Sequence, residues 1–428
     1  MWKSPRGTSV TEQFKAIRSQ IERQVGHWVV AAAGLNPDDL AAAEAWNRLE
    51  RYLGVSLRKH LEGVIAKLCV EADILAVTLL AAESPTALRD LQQRLFAFRR
   101  KFMRAETTLD FFADAINSRT SSHTAGLLRA CDILAQRSMS LLLDQLGQTT
   151  PVVISYIDKG LGASILKAGM RLWDGGAENP VAAIKIVRHN LLRPTALIHE
   201  AGHQVAHMIG WNRELAETLN SGLGDAPEGV AEAWASWASE IAADAFAFAH
   251  TGYASVAALH DVLSGGGNFV FQHTEGDPHP ISYLRVLLGV ETSRYFYGAG
   301  PWDSLAASWT ATYPIHTASA QTQRLVEQSV PLLPRIVKLT LDTSQRAFRG
   351  RPLRALIQPE RVSPAALQAL QERLGVSLYT SMHWLWTECL RMLALTGWQL
   401  ATRPVKANDV LQLQEAAMLR LGGALQAA

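Results

Sequence analysis

The run Thr195-Ala-Leu-Ile-His-Glu-Ala-Gly-His-Gln-Val-Ala-His-Met-Ile-Gly210 sets two imidazoles four residues apart, with a carboxylate directly after the first: His199, Glu200 and His203. On a helix such residues lie one above the other, about 6 Å apart along the axis. Both rings can then reach one tetrahedral zinc ion, while Glu200 sits beside the ion's open position, where a carboxylate can take a proton from water. The flanking residues favour a helix. Pro194 suits its first position, Gly210 its end, and Leu197, Ile198, Val205, Met208 and Ile209 supply a buried flank.

A zinc site of this kind needs a third ligand. The segment Glu228 to Phe248 is rich in Ala and Trp and has no helix breaker after Gly229, so it reads as one buried helix. A carboxylate in so apolar a stretch is costly unless it is paired or bound to a metal. Glu240 and Asp244 fall four residues apart on one face. Glu240 is therefore the expected third ligand, and Asp244 the expected acceptor of the outer N–H of a ligating histidine, most plausibly His199, fixing its tautomer and raising its basicity. The plain alternative is a pair of amphipathic helices whose histidines and acids are satisfied by neighbours or solvent. His207 continues the series at i+8 but lies about 12 Å from His199 along the axis, too far to share one ion. It reads as a helix-face or pocket residue.

The combination His199-Glu-x-x-His203 and Glu240-x-x-x-Asp244 resembles the gluzincin metallopeptidases, the group of thermolysin and the CaaX-protease-like enzymes. The resemblance implies zinc on His199, His203 and Glu240, a water activated by Glu200, Asp244 behind the ligands, and hydrolysis of a peptide bond in a peptide or protein substrate. It covers the two metal-bearing helices and, loosely, residues 150 to 290. The separation from His203 to Glu240 is longer than in thermolysin, so Asn212 to Pro227 is expected as an insertion near the cleft. Further on, Asp277-Pro-His-Pro280 resembles the T-H-P segment of the CaaX-protease-like group, whose downstream polar residues help to hold the substrate or the oxyanion. His279, Tyr283 and Arg285 are the candidate donors opposite the zinc. Two other functions fit the same residues: a non-catalytic interaction module on this scaffold, and a zinc hydrolase of a non-peptide amide.

The elements that must position these groups give a mainly helical α+β fold: a helical N-terminal domain over 1–149, a zincin-like catalytic unit over 150–315 and a helical C-terminal region over 316–428. Amphipathic periodicity predicts helices at about Val10 to Ala33, Leu40 to Tyr52, Leu57 to Ala82, Pro85 to Ser118 and Ser122 to Leu146. Three β-rich runs follow, Val152 to Ile157, Ser164 to Met170 and Val181 to Val187, with a turn at Trp173 to Pro180. In zincins such a sheet precedes the metal helix and its edge strand pairs with the substrate; Val181 to Val187 is the expected edge.

Composition restricts the rest. The chain has 428 residues, 48% of them hydrophobic, and a net charge of +2, which makes no case for nucleic acid. Arg94, Arg99, Arg100, Lys101 and Arg104 interleave with Phe96, Phe98 and Phe102; the expected arrangement turns the aromatics to a core and leaves the charges solvated. Cys69, Cys131 and Cys389 lie far apart and are expected to be free thiols, which suits a reducing cytoplasm. No membrane span is expected, and Met1 to Thr8 carry no leader pattern. The aromatic segment Arg294 to Trp302 reads as packing, and Arg346, Arg349, Arg351 and Arg354 as a solvated linker. Oligomeric state is not readable from these residues.

Overall fold

A computed structural model describes residues 10–160, 162–171 and 178–423. The N-terminal stretch 1–9 and most of the turn expected at Trp173 to Pro180 lie outside the described residues. The chain is mostly helical with one small mixed sheet. No described helix is long and apolar enough to cross a membrane. All three cysteines are free. The fold divides into two compact units, Met1–Asn117 with Gly169–Pro180, and Ser118–Ala168 with Val181–Ala428.

In the first unit α1 (Val10–Ala33), α2 (Ala43–Leu53), α3 (Leu57–Leu80) and α4 (Pro85–Asn117) follow the amphipathic periodicity closely. Ile21, Val25, Leu68, Leu75, Leu91, Leu95 and Phe98 form the shared core of α1, α3 and α4. Phe98 and Phe102 meet the Trp28 ring edge-on, Arg99 lies over that ring, and Lys101 pairs with Glu71 at 2.8 Å. The basic run on α4 thus turns two of its aromatics inward.

In the second unit α5 (Ser122–Leu143) packs under a three-stranded sheet of β1 (Val152–Ile157), β2 (Ser164–Leu166) and β3 (Val181–Ile186) in the order β1-β3-β2. β1 and β3 are parallel, with Val152 opposite Val181, and β2 is antiparallel to β3, with Ser164 opposite Lys185. This corrects the expected edge. β3 is the central strand, paired on both sides, and its near-continuous burial is what a strand covered on both faces requires.

From β3 the chain enters α6 (Thr195–Met208), then α7 (Trp211–Gly222), α8 (Val230–Ser236), α9 (Ala238–Thr251), α10 (Tyr253–Leu263), α11 (Gly267–Val270) and α12 (Ser282–Tyr297). Gly210, at φ 73°, ends α6 in the left-handed conformation a glycine adopts without strain. The segment expected as an insertion near the cleft is largely α7, whose Trp211, Leu215 and Leu219 recur every four residues and are fully buried. The long helix expected over Glu228 to Phe248 is interrupted at Trp237, with no breaker in the sequence to mark it. Glu240 therefore sits in the first turn of α9, where the helix dipole favours a carboxylate. Trp302 is buried against Tyr253, in keeping with a packing role for its segment. The arginine stretch is not a free linker: Arg346 reaches Glu214 and Glu217, and Arg354 reaches Asp342 and Glu360.

The two helices that carry the candidate ligands touch through Gly202. A Cβ there would come within 2.9 Å of Ala243 Cα and 3.1 Å of Ala243 O, backbone atoms that cannot rotate away. Gly202→Ala should force α6 from α9, lowering stability by about 1–3 kcal/mol, and Gly202→Val by more. Chemical denaturation checks this; a Gly202→Val protein as stable as wild type contradicts the close approach.

Near the end of α9, His250 is buried and its Nε2 has no hydrogen-bond partner among the described residues. Burial lowers its pKa to about 3, against some help from the Ser138 backbone. The folded state holds this ring neutral while an unfolded chain binds a proton below about pH 6.5, so the contribution is whole above 6.5 and is lost as pH falls towards 3. At pH 4.5 that is roughly 2–3 kcal/mol. His250→Leu should flatten the stability profile between pH 7 and 4.5 relative to wild type; an unchanged slope would assign the acid sensitivity elsewhere.

Candidate metal centre

The i, i+4 spacing on α6 brings the His199 and His203 rings to 4.7 Å between centroids, nearly perpendicular to one another. The first turn of α9 points Glu240 at both. His199 Nε2 lies 3.4 Å from Glu240 Oε2 and His203 Nε2 lies 3.1 Å from Glu240 Oε1. One atom from each of the three residues falls within 4.8 Å of the others, close enough to hold a metal ion. Two ligand atoms on one tetrahedral ion at about 2.1 Å stand about 3.4 Å apart, which these separations approach.

The remaining ring nitrogens are held from behind. His199 Nδ1 donates to Asp244 Oδ1 at 2.8 Å, one turn beyond Glu240 on α9, and His203 Nδ1 lies 3.3 Å from Ser239 Oγ. Each contact leaves Nε2 facing the carboxylate, the orientation that a metal ligand needs. Asp244 and Glu240 in turn share Arg285, from the first turn of α12. Its Nε donates to Asp244 Oδ2 at 2.6 Å and its Nη2 to Asp244 Oδ1 and Glu240 Oε2, both at 2.9 Å.

These contacts decide the charges. Burial opposes ionisation of Glu240, yet the His199 and His203 rings and Arg285 outweigh it and hold the carboxyl well below the usual range. Burial also opposes ionisation of Asp244, but Arg285 and His199 bring its pKa down to about 2. For His199 burial works against protonation; Asp244, with help from Glu240, raises the ring to about 10. Arg285 is likewise kept charged, against burial, by Asp244 and Glu240.

Glu200 faces the same space. It is buried and lines the cavity beside the cluster; among the described residues it makes no hydrogen bond or close ion pair, and Lys167 and Arg285 act on it through their charge alone. Its neighbour Gln204 points to the sheet side and clamps the end of β2, accepting from Ala168 N at 2.9 Å and donating to Ala168 O at 3.2 Å. That clamp fixes Lys167 in the cavity wall, where burial lowers its ammonium against the pull of Glu200 and Glu240. Ser239, Gln204 and Lys167 were not singled out from the sequence. For Ser239 the only signal is adjacency to Glu240, and for Lys167 a lone cation ending an apolar strand.

Of the three candidate donors, the structure brings two to the cavity. His279 is largely exposed, with Nδ1 2.7 Å from Asp277 Oδ1 and Nε2 3.7 Å from Glu240 Oε1. Arg285 lines the cavity but is engaged with both acids. Tyr283 is not among the cavity-lining residues; its ring packs against Phe271 and Trp309, and burial raises its pKa. His207 projects from the exposed side of α6, away from the cavity lining.

The cavity itself encloses about 570 Å³ and continues from these polar groups into apolar side chains of α9, α10 and α12. Comparison with family models, with curated proteins and with solved structures finds no match to this chain.

Proposed function

We propose that this chain is a zinc-dependent hydrolase of amide bonds, with peptide bonds as its substrates, built on a gluzincin-like site. The donor set supports the fit: two imidazoles already turned Nε2-inward by Asp244 and Ser239, and a carboxylate facing both. His199, His203 and Glu240 would hold the ion, which when bound polarises a carbonyl and acidifies a water.

The chain's own residues do the rest. Glu200 takes the proton of the attacking water and passes it to the departing amine, as a general base and then a general acid. His279, steadied by Asp277, donates from Nε2 to the oxygen that gains charge. Arg285 holds Glu240 and Asp244 in place, and Asp244 keeps His199 oriented. β2 is one of the two outer strands of the described sheet, and Gly162, Ala163, Ser164 and Ile165, in and before it, line the cavity. We assign to this side the extended part of the substrate, in place of β3.

The observation that carries this reading is a buried carboxylate, Glu200, that makes no hydrogen bond or close ion pair among the described residues and lies beside a His/His/Glu cluster on one cavity. A scaffold would have no use for it. Incubating the zinc-supplemented protein with a peptide library, and reading new termini by mass spectrometry, tests the proposal. Cleavage with positional preferences that is abolished by chelation is expected, and an uncut library at high enzyme concentration would overturn it.

A further inference from the structure

The cavity is longer than a site for one small side chain requires. Its lining runs from Ser239 to Phe248 on α9, from Arg285 to Thr292 on α12 and from Ser255 to Leu263 on α10. At 1.5 Å per residue these stretches are each about 10–14 Å long, leading away from the His/His/Glu cluster. Ala245, Phe248, Val256, Leu259, Leu288 and Leu341 are among its apolar lining.

The polar residues at that end are turned back on the backbone. Thr292 Oγ1 donates to Leu288 O, Thr340 Oγ1 to Ile336 O and Ser255 Oγ to Gly252 O, each at 2.8 Å. Their hydroxyl protons are used, so none of these three offers a donor to an incoming polar group, whose burial beside them would be costly. A leucine-sized group would leave most of 570 Å³ unfilled, whereas ligand sites of this size enclose whole small molecules.

We propose that the substrate carries a long unbranched aliphatic chain next to its scissile amide, the chain lying in this apolar lobe and the amide at the His199/His203/Glu240 end. The inference rests on the hydrolase reading and deepens it. Each methylene taken out of water should then raise kcat/KM roughly three- to fourfold until the lobe is full.

The test is a series of N-acyl dipeptides from acetyl to dodecanoyl, followed by mass spectrometry at both amides, with wild type and Ala258→Phe. Alongside it, titration calorimetry measures binding of the matching straight-chain primary amides to metal-free protein. A steep rise with chain length in wild type, flattened in A258F, is expected, as is chain-length-dependent binding without metal. Hydrolysis of all members at one rate overturns this inference and leaves the hydrolase reading intact. Length-dependent binding with no hydrolysis of any member supports the lobe's ligand and removes the hydrolase. Neither binding nor hydrolysis rejects the aliphatic chain outright. Should A258F fail to fold, the calorimetric series decides alone.

Discussion

Glu200→Gln should leave the metal content unchanged and lower hydrolysis by about 10²–10⁴-fold, the range attributable to a positioned general base. The amide is nearly isosteric with the acid, so the cavity wall that Glu200 forms beside the cluster is kept. Glu200 is not one of the three residues whose ligand atoms cluster, so nothing in the ligand set changes. What is lost is the ability to accept a proton. Initial rates with and without the substitution, each paired with elemental analysis, check it. A Glu200→Gln enzyme with wild-type turnover would remove the proposed mechanism, and one that has lost its metal would show that Glu200 is a ligand.

The largest stability effect is expected at Arg285. Its guanidinium donates to both Asp244 and Glu240; Arg285 and Glu240 are buried and Asp244 is partly buried. Arg285→Met keeps much of the side chain's volume but leaves two carboxylates without their shared cation. Breaking a buried pair in this way typically costs about 3–5 kcal/mol. The loss should be largest in metal-free protein, where the His199 ring alone is left beside the two acids to offset their charge. Arg285→Lys should rescue only part of it, because one ammonium cannot reproduce a fork that spans two acids. Urea unfolding with and without chelator measures this. Equal stability of wild type and Arg285→Met in chelator would mean that the contacts contribute nothing.

Much of the candidate site was legible because its candidate ligands come from helical repeats. His199 and His203 are four residues apart, as are Glu240 and Asp244, and a helix converts that spacing into one face without any knowledge of the fold. Proximity of the first pair to Glu240 depended only on two apolar helices packing together, and Gly202 is the residue that lets them do so. The role of Arg285 was not legible in the same way. Its sequence position allowed a donor to the substrate, and only the tertiary arrangement shows its guanidinium occupied by Asp244 and Glu240. Tyr283 differs for a related reason: an aromatic hydroxyl on a first turn reads as polar, while in the structure its ring packs against Phe271 and Trp309.

The strand order failed to declare itself for a topological reason. Val181 to Ile186 is nearest α6 in sequence, yet β2 pairs antiparallel with it on one side and β1 parallel on the other, so it lies at the centre. Alternation of apolar residues fixes which strands are buried, not their order. The interruption at Trp237 was hidden similarly, since Ala, Trp and Ser continue a helical pattern through it. Trp211, Leu215 and Leu219 have the period of a packed helix, which the separation of His203 from Glu240 alone does not disclose.

The most direct measurement is the metal content of the purified wild-type protein beside Glu240→Ala, by elemental mass spectrometry after dialysis. The cluster of His199, His203 and Glu240 predicts close to one zinc per chain in wild type, lost in the variant. Zinc absent from both, after supplementation, would contradict the metal centre and leave the two helices as a buried ion-pair network.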